Sequence, residues 1–178
     1  MAFTILPAAS DDVAPLLAMI RALADYERLT HLVSATEAAL ARSLFGERPH
    51  AEALIAWDGE KKRDALGFAL FFHNFSTFLA RPGLWLEDIF VYPQHRGRGI
   101  GRRLLGEVAA VARARDCGRL EWAVLDWNEP AIGFYRGMGA TVMPDWRIAR
   151  VTGAALEGFG RDEAGDRQQH QGINSDML

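Results

Sequence analysis

The sequence of 178 residues holds one cysteine, Cys117. A single thiol excludes a disulfide framework, a zinc ribbon and a Cys-x-x-Cys redox pair, and it suits a reducing compartment. A dominant charge is lacking too: 20 Lys plus Arg face 23 Asp plus Glu, for a formal net charge of -3. With no global basic field, no nucleic-acid partner is expected. No apolar run approaches the roughly 20 residues that span a bilayer, so no membrane partner is expected either. Met1 to Pro7 lacks a basic region followed by an apolar stretch, so no secretion signal is read and the expected location is the cytoplasm. His31, His50, His73, His95 and His170 are scattered without metal-ligand spacing, and no Ser, His and Asp set is recognisable. Neither a metal site nor a hydrolase triad is expected. What the chain does have is apolar mass, 49% of its residues. A chain of this length removes roughly 70% of its unfolded surface from water, enough for a core without disulfides or a structural metal.

Patterning along the chain predicts the elements. Phe3 to Leu6, ended by Pro7, reads as an edge strand. Ser10-Asp11-Asp12 then caps a helix in which Val13, Leu16, Leu17, Ile20, Leu23 and Ala24 recur mostly at spacings of three and four, with an end near Leu29. Ser34-Ala35-Thr36-Glu37 forms a capping box for a second helix that Gly46 stops. Residues 51–57 and 65–73 read as a hairpin, 74–82 as a loop, and 84–92 as a buried strand. A glycine-rich turn at 96–101 leads into a helix carrying Leu104, Leu105, Val108, Val111 and Ala112. Residues 120–125 follow as a strand, 129–138 as a short helix opened by Pro130, and 141–143 and 146–151 as final strands. From Gly158 the chain turns polar, and 161–178 reads as a disordered tail. Strands alternating with helices after a helix pair and a hairpin imply an α/β or α+β domain, a mixed sheet with helices on its faces.

Three features invite chemistry. In Arg96-Gly97-Arg98-Gly99-Ile100-Gly101 the alternating glycines let the backbone approach a ligand, and the helix that follows aims unpaired N–H groups at it. Phosphate is the natural guest, with Arg96, Arg98, Arg102 and Arg103 supplying charge; the plain alternative is a mobile turn with solvated arginines. The spacing fits neither Gly-x-Gly-x-x-Gly nor a Walker loop. Glu87 and Asp88 sit among Leu84, Trp85, Leu86, Ile89, Phe90 and Val91, where a carboxylate costs several kcal/mol unless paired, hydrated or in use. Successive strand residues face opposite ways, so the two share a role only if a bulge intervenes. Tyr135, between Phe134 and Arg136, is either a core aromatic or a proton carrier.

Leu86-Glu87-Asp88-Ile89-Phe90-Val91 followed by Arg96 to Gly101 resembles the acetyl-CoA site of the GNAT superfamily of N-acetyltransferases. Ala24-Asp25-Tyr26-Glu27, Phe45 to Pro49, Ala123 to Pro130 running on to Phe134-Tyr135, and Trp146-Arg147 resemble the diamine (spermidine/spermine) and thialysine N-acetyltransferase branch. The resemblance spans about residues 3 to 157, leaving 158–178 as a tail. It implies a single-domain GNAT fold, a mixed, mostly antiparallel sheet of about six to seven strands flanked by about four helices, working as a homodimer. It also implies direct acetyl transfer from acetyl-CoA, the co-substrate, to a primary amine of a small polyamine or lysine-like acceptor in a ternary complex, without a metal.

By the same resemblance the backbone of Ile89, Phe90 and Val91 pairs with the pantetheine arm. The N–H groups from Gly97 through Gly99, Ile100 and Gly101 to Arg102 hold the pyrophosphate beside Arg96 and Arg98. Asn128, Pro130 and Ala131, at the start of the next helix, bind the far side. Tyr26, Glu27, Glu87, Asp88, Glu121, Trp122 and Ala123 face the amine. A substrate ammonium with a pKa of about 10 must lose a proton before attack, and Glu87 is the expected base, through water; Tyr135 is the expected acid for the thiolate, whose pKa is roughly 8.5. A strand N–H near Val91 suits the developing oxyanion. Phe78 stands near a position where relatives carry Trp, and Asp145 is the only acid in a shortened loop before Trp146, which leans away from spermine and toward the thialysine type. Three competing readings remain: acetylation of a protein or peptide lysine, a non-catalytic acyl-CoA-binding regulatory module, and a nucleotide-binding turn. The presence of both Glu87 and Tyr135 argues against the binding module.

Overall fold

Five strands form one sheet in the computed structural model, which describes residues 3–59 and 64–160. They are β1 (Phe3–Pro7), β2 (Glu52–Asp58), β3 (Ala65–Ser76), β4 (Arg81–Val91) and β5 (Leu120–Trp122), in that spatial order. The first three pairings are antiparallel and β4–β5 is parallel. Four helices accompany the sheet: α1 (Val13–Tyr26), α2 (Glu37–Phe45), α3 (Ile100–Ala114) and α4 (Glu129–Gly137). The chain divides after Ala140, and the second unit carries a short α5 (Gly153–Gly158).

Alternation along the strands builds two apolar layers. One gathers Leu54, Ala69, Phe71, Leu84 and Leu86 with Ile100, Leu104, Leu105 and Val108 of α3 and Tyr135 of α4. The other gathers Ile55, Trp57, Phe68, Leu70 and Phe90 with Leu16, Met19 and Leu23 of α1 and Leu44 of α2. Each fully buried Leu or Phe contributes about 1.5–3 kcal/mol relative to an exposed one, so these layers carry the stability of the sheet.

The register of β4 against β3 breaks once, where Leu70 faces Asp88 but Phe71 faces Leu86. Glu87 is therefore the extra residue of a β-bulge, which inverts the alternation. Leu84 and Leu86 before it, and Ile89 and Val91 after it, all pack in the α3 layer, while Phe90 belongs to the α1 layer. The paired segment of β5 ends at the same place, with Leu86 opposite Trp122 as the last register pair. Beyond the bulge β4 keeps its β3 partner to Val91 but has no β5 partner, so Ile89, Phe90 and Val91 present an open strand edge.

Several expectations change. The sheet has five strands, because 141–143 and 146–151 form none among the described residues. Apolar alternation measures fit to a pleated surface, whereas a strand exists only where a neighbour supplies a ladder. The same rule stops β5 at Trp122, short of Leu125. Conversely, β3 runs on to Ser76 and β4 starts at Arg81, so pairing absorbs much of the expected 74–82 loop. Thr36, not Ser34, caps α2: its Oγ1 accepts from the Ala39 N–H at 3.2 Å. The helix α5 was not expected. Residues 60–63 of the β2–β3 turn and 161–178 of the expected tail lie outside the described residues.

Candidate active site

The glycine-rich turn adopts backbone angles that explain its composition. Gly97 and Gly99 have φ of 77° and 81°, in the left-handed region that costs an L side chain about 1–2 kcal/mol. Gly99 is the N-cap of α3, and its carbonyl accepts the first N–H of the helical ladder, from Arg103, at 3.0 Å. The N–H groups of Ile100, Gly101 and Arg102 precede that ladder and are free to bind an anion. No atom lies within 4 Å of where a Cβ on Gly97 or Gly99 would sit, so the turn is open to a ligand.

The arginines of the turn divide into two kinds. Arg96 Nε donates to the Val91 carbonyl at 3.1 Å, and Arg103 Nε donates to Glu107 at 2.7 Å. Arg98 lies 3.2 Å from His95 Nδ1 and 3.7 Å from Asp58. Arg102 is exposed and has no protein partner among the described residues, leaving its charge for a phosphate.

The loop that leaves β5 leads to the start of α4. Asn128 is its N-cap, with Oδ1 accepting from the Ala131 N–H at 3.3 Å, and Pro130 in the first turn removes a donor that would have had no partner. One helical turn on, Tyr135 is buried against Trp122, at 4.9 Å between ring centroids, and Phe134, at 5.3 Å. Its hydroxyl makes no hydrogen bond to a protein atom among the described residues. Burial first, then the charges of Glu27 and Asp88, push Tyr135 up to about 12, so it holds its proton across the working range.

Those same two carboxylates define the acidic side. Asp88, half-buried on the bulge, is pushed up to about 6 by burial, by Glu87 and by Glu27. Glu27, the C-cap of α1, is raised by burial. Carboxylates whose charges reach one another in a partly dry site favour a cation among them. The charges of Glu27 on α1 and Asp88 on the bulge of β4 thus both reach Tyr135 on α4.

The remaining expected residues are placed differently. Glu87 is exposed and accepts from the Trp85 indole N–H at 2.8 Å. Glu121 is taken up by Asn74, whose Nδ2 donates at 2.9 Å, and by Arg119, whose Nε lies 2.7 Å away. Ala123 lies beyond the end of β5 and is exposed. Tyr26 contacts Arg96, Trp127 and Asn128 and so borders the turn and α4. Sequence reasoning missed Trp85, although its position two residues before Glu87 in a strand, hence on the same face, was a usable signal. No group of three or more His, Cys, Asp or Glu able to hold a metal occurs among the described residues. No helix among them is long and apolar enough to cross a membrane.

The profile of the acetyltransferase (GNAT) family matches residues 16–140. L-ornithine N5-acetyltransferase NATA1 of Arabidopsis thaliana is 37% identical over an alignment covering 82% of this chain and 82% of that protein. Thialysine N-epsilon-acetyltransferase of Mus musculus is 38% identical, covering 84% and 92%. An integron cassette protein from the mobile metagenome of V. cholerae shares the fold with a TM-score of 0.74 at 25% identity, covering 90% of this chain and 99% of that one. The chain belongs to the acetyltransferase (GNAT) family, and it is an acetyl-transferring enzyme.

Proposed function

We propose that the protein transfers the acetyl group of acetyl-CoA to a side-chain primary amine of a small cationic acceptor, a lysine-like amino acid of the ornithine or thialysine type, or a small polyamine. The observation that carries this reading is the convergence of Glu27, Asp88 and Tyr135 beside the open edge of Ile89 to Val91. The edge suits the amide-bearing arm of the donor, which pairs like an added strand. The turn from Gly97 to Arg102 suits its pyrophosphate, and the start of α4 at Asn128 and Ala131 borders the far side.

The acceptor ammonium settles against Asp88 and Glu27 and gives up a proton at the bulge. Glu87 is exposed there and takes it through water, while Asp88, held at about 6, binds the ammonium in its charged form. The neutral nitrogen attacks the thioester carbonyl carbon, and a strand N–H near Val91 stabilises the oxyanion. As the C–S bond breaks, the thiolate takes the Tyr135 proton, which the amine proton released at attack replaces.

In this reading residues 3–157 form the transferase domain, which works in the cytoplasm as a homodimer; exposed Trp146, Ile148 and Leu156 suit an interface. The test is acetyl-CoA consumption by the purified chain across ornithine, thialysine, lysine, putrescine, spermidine and a lysine peptide. Turnover with a free amino acid or polyamine at least tenfold above the peptide is expected. A preference for the peptide overturns the acceptor class.

A further inference from the structure

Tyr26, the last residue of α1, reaches both sides of the opening between β4 and β5. On one side the Arg96 guanidinium carbon lies 4.7 Å from its ring centroid, inside the roughly 6 Å range in which a ring face holds a cation. Arg96 is fixed in turn to the Val91 carbonyl at the end of the open edge. On the other side the Trp127 ring stands 6.1 Å from the Tyr26 ring. The Tyr26 hydroxyl reaches the capping oxygen of Asn128 at a long 3.5 Å. The ring, more than the hydroxyl, therefore bridges the turn that opens α3 and the loop that opens α4.

Glu27 follows directly in the chain and caps α1 with its N–H on the Leu23 carbonyl at 2.9 Å. It is one of the two charges that raise Tyr135 and one of those that raise Asp88. A ligand that changes the spacing of the two walls acts on Tyr26 from both directions. Because Tyr26 and Glu27 share one helix end, that movement carries the carboxylate with it.

We propose that Tyr26 is a positioning residue that couples the donor cleft to the amine pocket, so that occupancy of one tightens the other. The proposal rests on the acetyl-transfer reading of the site. Coupling between two sites is reciprocal and commonly amounts to about fivefold or more in affinity.

Calorimetry on the full chain, with ornithine as the amine probe and CoA as the unreactive donor, reads the coupling directly. In the wild type, saturating CoA lowers the ornithine Kd by at least about fivefold. Tyr26→Phe, which keeps the ring over Arg96, retains that ratio within about twofold. In Tyr26→Leu the ratio falls to near one while CoA and ornithine each still bind, a split that a general loss of stability does not produce. Should Tyr26→Leu not fold, Arg96→Gln removes the cation from the ring and gives the same collapse. A wild-type ratio of one, or a full ratio in Tyr26→Leu and Arg96→Gln, overturns the coupling. If the wild type also acetylates amines, the transfer reading survives that result. If it acetylates none of them, the transfer reading fails and takes the coupling with it.

Discussion

Leu86 and Ile89 pack into the same apolar layer although they stand three residues apart in one strand, because Glu87 is a bulge between them. The bulge does two things at once. It takes Glu87 and Asp88 out of regular alternation, and it coincides with the last pair between β4 and β5, beyond which β4 has a free edge. The open strand edge and the irregular placement of Glu87 and Asp88 are therefore consequences of one local feature.

Tyr135→Phe tests the acid. The hydroxyl has no protein partner among the described residues, so its removal leaves no orphaned group and should change stability by no more than about 0.5 kcal/mol. The kcat is expected to fall by roughly tenfold to a hundredfold with little change in either KM. A kcat within twofold of wild type means that another group protonates the thiolate.

Glu87→Gln and Asp88→Asn separate the two carboxylates of the bulge. The burial of Asp88 predicts the larger loss, on the order of a hundredfold in kcat/KM, against about tenfold for exposed Glu87. The wild-type profile of kcat/KM should rise with pH through an acid limb near 6 that Asp88→Asn lacks. A limb that survives in Asp88→Asn assigns it to another group.

Stability should follow the same group with a definite sign. The fold raises Asp88 from 3.8 to about 6, so its stabilising contribution is fully present below the unfolded value and is lost as pH rises through about 6. From this group alone the protein should be about 1 kcal/mol less stable at pH 7.5 than at pH 5. Urea unfolding at the two values checks this, with Asp88→Asn expected to be less sensitive to pH by that amount.

Gly99→Ala addresses the turn. No atom crowds the new Cβ, so the cost is backbone strain at φ 81°, about 1 kcal/mol. Because Gly99 sets the N–H groups of the first α3 turn, the acetyl-CoA KM should rise by roughly tenfold while the amine KM stays nearly constant. An unchanged donor KM removes the turn from donor binding.

Much of this was legible in the chain. The LEDIFV strand, the alternating glycines and the helix with Leu104, Leu105 and Val108 all appear where the periodicities put them, since each is fixed by local rules. The sequence allows the bulge only as a condition, because register is a property of two strands and Leu70 lies 18 residues before Asp88. Glu121 shows the same gap between composition and geometry. By resemblance its acid is an amine ligand, yet Asn74 of β3 and Arg119, just before β5, take up its oxygen. Arg96 likewise reads as a phosphate ligand, while its Nε is committed to Val91 and its charge to the Tyr26 ring. The strand expected at 146–151 failed because alternation carries no information on whether a partner strand is present.

The most direct test is to locate the acetyl group in the product formed from ornithine and acetyl-CoA, by mass spectrometry and NMR, with Asp88→Asn in parallel. The account predicts release of CoA with the acetyl group on the side-chain nitrogen, and a rate lowered on the order of a hundredfold in the variant. Acetylation at the α-nitrogen, or an undiminished rate in Asp88→Asn, would contradict it.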